Sequence, residues 1–300
     1  MWQQKLVQLA KTLAILGLVA AVPACADSAA TSTPAAATDT AQGDAQGDTQ
    51  GDTQGDSTSA DSGQSDAASA DTSADTAQDS AGDVCKPSNV PCTDDQILEL
   101  NLLKSVSKRT IVNTAEGNGF MSQVDATAGG FQPTESFLYA RFTATGLERV
   151  DVSDQAALDS TEWDIAFRRY VVRLNSGVSG PSCVTGGVFP NKTKYEDISA
   201  PSDSLTMEQE AYYGPTCLML EDGSGLKAPG TVLSPYWKYA SCVQMTGKVF
   251  QVQLADGRKL KLAFTEFYAP EVQVTCNASG TVPQGSVGAK LRLRWAELAK

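Results

Sequence analysis

The amino-acid sequence predicts an all-β domain, mainly antiparallel, with one short N-terminal helix possible, and three stretches carry that reading. Between residues 160 and 180, Trp163, Ile165 and Phe167 alternate with Asp164, Ala166 and Arg168, and Tyr170, Val172 and Leu174 continue the alternation one residue out of phase. A period of two with a single phase change reads as one strand with a bulge at Arg168–Arg169, closed by the turn Asn175-Ser176-Gly177. Phe250, Val252 and Leu254 lead through Ala255-Asp256-Gly257-Arg258 into Leu260, Leu262 and Phe264. Asp-Gly there supplies the positive φ angles that a type I′ hairpin turn requires. Finally, Leu291, Leu293 and Trp295 alternate with Lys290, Arg292 and Arg294, the pattern of a strand with one wet face.

Ahead of this domain, Lys5 and Lys11 precede an apolar run from Leu13 to Val22, which is too short to cross a bilayer comfortably and has the layout of an export signal. Val22-Pro23-Ala24-Cys25 resembles a bacterial lipobox, so residues 1–24 are expected to be a lipoprotein signal peptide and Cys25 the lipidated residue. An ordinary secretory peptide with an incidental Cys is the plainer alternative. From Ala26 to Val84 there is no Lys, Arg or aromatic residue, and four tandem tetrapeptides run from Ala41 to Asp56. Such a segment cannot bury enough apolar surface to offset its ordering entropy, so residues 25–84 are expected to be a disordered linker, leaving 85–300 as the folded domain. A flexible chain of that length spans roughly 45 Å.

The linker also accounts for the acidity of the chain. It holds twelve of the 35 acidic residues, leaving 23 to balance the 23 Lys and Arg, so the net charge of −12 belongs to the linker and the folded part is near neutral. Nothing suggests a nucleic-acid surface. With Cys25 lipidated, Cys85, Cys92, Cys183, Cys217, Cys242 and Cys276 remain, an even number in an exported domain, for which disulfides are expected. Cys85 and Cys92 bracket the turn-rich Lys-Pro-Ser-Asn-Val-Pro and are expected to close a local loop; the other four admit three pairings. No CxxC and no His occur, which argues against zinc.

Within the domain, Thr93-Asp94-Asp95 before Ile97, Leu98, Leu100 and Leu102 reads as a capped short helix or a first strand. Ser136–Thr145 reads as a strand, and Val272 and Val274 suggest another. Residues 177–235 break into Gly, Pro, Ser and Asp around Val188-Phe189, Tyr212-Tyr213 and Cys217-Leu218-Met219-Leu220. Long irregular connections over a rigid sheet are where binding groups tend to sit, so a pocket is expected there. The chain carries no Gly-x-Ser-x-Gly elbow, P-loop or dinucleotide fingerprint, and without His the common Ser-His and Cys-His pairs are impossible, so no enzyme is expected.

Trp163-Asp164-Ile165-Ala166-Phe167, Arg173-Leu174-Asn175-Ser176-Gly177 and Val249-Phe250-Gln251-Val252-Gln253-Leu254-Ala255-Asp256-Gly257 together resemble the HmuY family, bacterial surface lipoproteins whose known members are all-β haem-binding proteins. The likeness runs from about Asp125 to Leu298 and includes Val124–Gly130 and Ser136–Tyr139. It implies an outer-membrane lipoprotein held by its lipid anchor, with haem or a related porphyrin as ligand and an outer-membrane receptor as partner. Paired His ligands cannot be carried over, and where one member reads His-Arg-Tyr this chain has Arg168-Arg169-Tyr170. Other relatives resemble Met-ligated binders, which points to Met207 and Met245 as donors to haem iron, with Arg168 for the propionates and Tyr212 and Tyr213 for the ring. Each has a plainer structural reading: Met fills irregular gaps in cores, a Tyr pair anchors a loop, and Arg at a bulge is solvated or salt-bridged. The alternative function is a module on the same fold that has no haem and binds protein or glycan. Far-UV circular dichroism should therefore show a strand signal with little helix, and all six domain cysteines should alkylate only after reduction, each adding its mass increment.

Overall fold

The computed structural model describes residues 88–130 and 132–299. The expected signal peptide, Cys25, the linker and Cys85 lie outside the described residues. No helix among those described is long and apolar enough to cross a membrane.

Two antiparallel sheets make up the body. The larger has the order β1-β2-β12-β11-β10-β7, from β1 (Ile111–Glu116), β2 (Gly119–Asp125), β7 (Thr185–Val188), β10 (Val249–Gln253), β11 (Lys259–Glu266) and β12 (Lys290–Glu297). The smaller has the order β4-β3-β5-β6, from β3 (Leu138–Thr143), β4 (Gly146–Val150), β5 (Ile165–Arg168) and β6 (Val171–Leu174). A short hairpin, β8 (Trp237–Tyr239) with β9 (Val243–Met245), packs beside them. The expected last strand is β12, and it is central: Leu291, Leu293 and Trp295 are buried against β2 and β11.

The side-chain period of two explains how the sheets meet. Leu138, Ala140, Phe142, Ile165, Phe167, Val172 and Leu174 point to one face of the smaller sheet and form the main core with Val124, Phe250, Val252, Leu260, Leu262, Leu291 and Leu293 of the larger. Tyr139 and Ala166 point to its other face, where a second cluster gathers Phe137, Trp163, Leu100, Leu102, Leu158, Tyr212 and Tyr213. The smaller sheet is thus buried on both sides. Asn113 joins the two sheet edges, donating from Nδ2 to Leu147 O at 3.1 Å while its Oδ1 accepts from Leu147 N at 3.1 Å and Ser122 Oγ at 2.6 Å.

Four local expectations are corrected. Residues 165–174 are two strands, not one bulged strand: Arg168 pairs with Val171 across a two-residue turn in which Arg169 takes φ 53°, and the reversal produces the phase change. In the β10–β11 connection only Gly257 has positive φ (83°), and Leu254 N donates to Arg258 O, so a three-residue turn replaces the type I′ form. Val272 and Val274 belong to a helix, α3 (Pro270–Ser279), with Pro at its start and left-handed Gly280 at its end; Gln273 and Cys276 face inward while Val274 is exposed. The opening segment is the expected helix, α1 (Thr93–Glu99), with Asp94 and Asp95 in its first turn.

The fourth correction concerns Cys92, which bonds Cys217 rather than Cys85. Left-handed backbone at Cys92 starts α1 and packs its side chain into the second cluster beside the 212–219 loop, so tertiary docking overrides local loop closure. Cys242 bonds Cys276, and Cys183 is also disulfide-bonded. The bridges span 125 and 34 residues respectively. Because longer loops lose more entropy on closure, replacing Cys92 and Cys217 by Ser should cost about 2–5 kcal/mol, more than the same exchange at Cys242 and Cys276, measured by urea unfolding.

Candidate functional site

The second face of the smaller sheet carries two arginines because Arg168 on β5 and Arg173 on β6 share the parity of Ala166 and Val171. Their guanidinium carbons lie over the Phe137 ring, each 4.0 Å from its centroid. Asp154, in the one-turn helix α2 (Asp154–Ala157) capped by Ser153, is fully buried beneath them. Its Oδ1 accepts from Phe137 N at 2.8 Å and Tyr139 Oη at 2.9 Å; its Oδ2 accepts from Leu103 N at 2.9 Å and Arg168 Nη1 at 3.4 Å.

Arg168 is held on all sides, donating also to Asn101 O at 3.1 Å and to Leu100 O. Burial pulls its pKa down to about 10, against the pull of Asp154, so it remains charged at neutral pH. Arg173 donates from Nη2 to Tyr139 Oη at 2.7 Å and from Nη1 to Tyr212 Oη at 3.4 Å, and Tyr212 Oη also shares a hydrogen bond of 2.7 Å with Ser179 Oγ. Burial opposes the Arg173 charge, but Tyr139, Tyr212 and Asp154 outweigh it and raise its pKa. Its Nε has no partner among the described residues.

A further buried acid ties the irregular segment down. Glu210 accepts from Leu174 N at 2.8 Å and Val232 N at 2.9 Å, joining β6 to both flanks of the 211–231 stretch. Burial pushes its carboxyl up to about 7, against those two N–H groups and Arg173.

The expected ligand residues fall into separate surroundings. Tyr212 is fully buried and Tyr213 nearly so, donating to Glu99 Oε2 at 2.9 Å; both rings pack in the second cluster. Arg168 faces inward, as described. Met207 is half-buried: its Sδ accepts from Gln251 Nε2 at 3.7 Å and touches Gly187 so closely that a Cβ there would lie 2.9 Å from the sulfur. Beside it, Gly186, Gly187, Val188, Leu205 and Val232 line a cleft of about 390 Å³ with Glu208 at its rim. Met245, also half-buried, pairs with Trp237 in the β8–β9 hairpin and packs against the main core. The contacts of the two thioethers share no residue.

Asp154, Arg173 and Glu210 were not singled out in sequence. Ser153-Asp154 as a helix start was a legible signal; the position of Glu210 opposite Leu174 was not, because a bridge across 36 residues leaves no local pattern.

Comparison with known proteins adds the following. The family model described as HmuY protein matches residues 104–279, more than half of the chain. No curated protein matches. Among solved structures, an HmuY-like heme binding protein assigned in Bacteroides vulgatus is 18% identical, covering 63% of this chain and 98% of its own, with a TM-score of 0.38. The apo HmuY analog of Tannerella forsythia is 14% identical, covering 65% and 99%, with a TM-score of 0.33. A protein assigned as a lipoprotein in Bacteroides fragilis is 12% identical, covering 63% and 95%, with a TM-score of 0.39.

Glu210 makes stability depend on pH. Its folded pKa of about 7 lies above the ordinary 4.5, so from pH 4.5 to 7 the unfolded chain has released a proton that the folded chain keeps. The stabilisation is full below pH 4.5 and lost as pH rises through 7, by up to about 3 kcal/mol. Asp164, raised by burial from 3.8 to about 6, adds a fall of the same sign at lower pH. Urea unfolding of Glu210→Gln should therefore show a flat stability between pH 6 and 7 where the wild type declines.

Proposed function

The chain belongs to the HmuY family, and on that premise we propose that it is a lipid-anchored outer-membrane protein that captures haem or a related porphyrin and passes it to an uptake receptor. The observation that carries the reading is the half-buried Met207 thioether next to a cleft lined by both apolar residues (Val188, Leu205, Val232) and polar ones (Ser204, Thr206, Glu208). Thioether sulfur is an established haem-iron donor, and the Met207 sulfur lies against Gly187 of β7, between the cleft residues Thr206 and Glu208 in sequence. Met207, released from Gln251, would hold the iron, and Val188, Leu205 and Val232 would shield one part of the ring from water. Bound haem would supply an iron centre able to take a soft sulfur donor. Met245, set in a different hairpin, is the second donor to be tested. The lipid on Cys25 and the linker would give the domain its reach from the membrane.

A second reading, an interaction module for a protein or glycan on the same fold, is supported by the absence of His from the sequence. Titration of the full chain with haemin, in ferric and ferrous forms, separates the two. A saturable Soret shift is expected, weakened about tenfold by Met207→Ala, a loss of roughly 1.4 kcal/mol, and less by Met245→Ala. A featureless titration at micromolar protein would overturn haem binding and leave the interaction module.

A further inference from the structure

A cavity of about 610 Å³ opens between β3, the β10–β11 turn and β12, lined by Arg141, Thr161, Asp164, Asp256, Arg258 and Glu297 among others. A second cavity of about 600 Å³ shares Asp256, Arg258 and Glu297 and continues it toward Pro201 and Leu298. Volumes of this size suit a small molecule.

The charges in this cavity are unevenly satisfied. Arg258 is partly committed: Nε donates to Asp256 Oδ2 at 2.7 Å, Nη2 to Phe142 O at 3.1 Å, and Nη1 lies 3.8 Å from Glu297. Asp164 is only half used. Nine per cent exposed, it accepts from Phe142 N through Oδ2 at 2.9 Å, while Oδ1 accepts no hydrogen bond from another described residue. Arg141, exposed on β3, makes no ion pair among the described residues; its cross-strand neighbour Glu148 is occupied by Thr143 and Thr145. Arg141 and Asp164 interact electrostatically but are not in ion-pair contact. One cavity thus presents an unpaired guanidinium and a largely buried carboxylate with a free oxygen.

We propose that this cavity binds a small zwitterion, a free α-amino acid or a dipeptide, with its ammonium on Asp164 Oδ1 and its carboxylate on Arg141. A guanidinium takes a carboxylate through two parallel hydrogen bonds, and a carboxylate in a partly desolvated site takes an ammonium more strongly than water does. A ligand with only one charge would leave the other group unmet. Arg258, hydrogen-bonded to Asp256 and 3.8 Å from Glu297, lines both cavities and partly neutralises those two acids. Burial raises Asp164 to about 6, with Arg141 of β3 and Arg258 of the turn opposing and Asp256 assisting, so ammonium binding near pH 6 should release protons.

Calorimetric titration of the full chain with each common L-amino acid and with dialanine tests the site. At least one should bind saturably, dialanine alone indicating a peptide source. For a ligand that binds, the N-acetyl and methyl ester forms, each lacking one charge, should bind about tenfold more weakly or worse. Asp164→Asn, which keeps an acceptor for Phe142 N and removes the buried charge, and Arg141→Gln, on an exposed strand position, should each weaken binding by about tenfold, with neither melting below the wild type at pH 7. Met207→Ala should leave this affinity intact, so failure of haem binding and failure of this site are told apart. No saturable heat up to millimolar ligand, equal binding of the blocked forms, or an unaltered affinity in Arg141→Gln would overturn the proposal.

Discussion

Everything on the second face of the smaller sheet depends on Asp154, a buried carboxylate that offsets one of two buried guanidinium groups. Ions taken out of water lose several kcal/mol of hydration each, and the arrangement is tolerable only because every lone pair of Asp154 is used. Two backbone N–H groups, one phenol and one guanidinium converge on it. Arg168 and Arg173 then enclose Phe137 from both sides, and Tyr139 Oη links the two charges by donating to Asp154 and accepting from Arg173. Residues 100–103, α2, β3, β5 and β6 meet in this one cluster. Removing Asp154 would strand the Arg168 charge and leave Phe137 N and Leu103 N without an acceptor.

The same logic reaches the irregular segment. A stretch as long as 189–236, with no strand or α-helix of its own, would ordinarily be loosely held. Here Tyr212 is drawn in by Arg173 and Ser179, Glu210 takes N–H groups from β6 and Val232, and Cys217 is bonded to Cys92 at the start of α1. Val178 N and Glu210 N bond across as well, to Glu210 O and Ser176 Oγ. Side chains of opposite polarity do the holding that a sheet ladder does elsewhere.

Legibility in the sequence follows the range of the forces involved. β12, β10 and β11 were readable because apolar and polar residues alternate locally along each, in β10 and β11 even though both faces are largely buried. The 165–174 hairpin was read as one strand because both faces are buried, so Ala166, Arg168, Val171 and Arg173 look like breaks in a pattern they belong to. Val272 and Val274 misled because β-branched residues at a spacing of two fit a strand, while the helix is set by Pro270, by Gln273 bonding Phe267 N and by Cys276 bonding Cys242. β1 and β2 went unread although Gly117-Asn118 between them is a turn pair, since β1 is largely exposed and has no apolar stripe. Of the candidate ligand residues, sequence reasoning found Arg168 and Tyr212 as notable side chains but not the inward direction that only Asp154 and Arg173 give them.

That inward direction separates two kinds of polar residue in this domain. Groups that meet their opposite within the second cluster are consumed by the fold, and their strength as hydrogen-bonding partners is the reason they are unavailable. Groups left with unmet capacity lie where sheets end or chains approach closely: Met207 over the Gly187 backbone, and Arg141 and Asp164 around the mouth of the β10–β11 turn. Gly186 and Gly187 illustrate the constraint, since a Cβ at the first would strike Val232 and at the second Thr206 O and Met207 Sδ. Close approach of Val232 and Leu174 at Gly186, and of Thr206 and Met207 at Gly187, is what the missing side chains allow. Arg173 Nε is the exception inside the second cluster, a buried donor without a partner among the described residues; the groups open to a ligand lie at the margins instead.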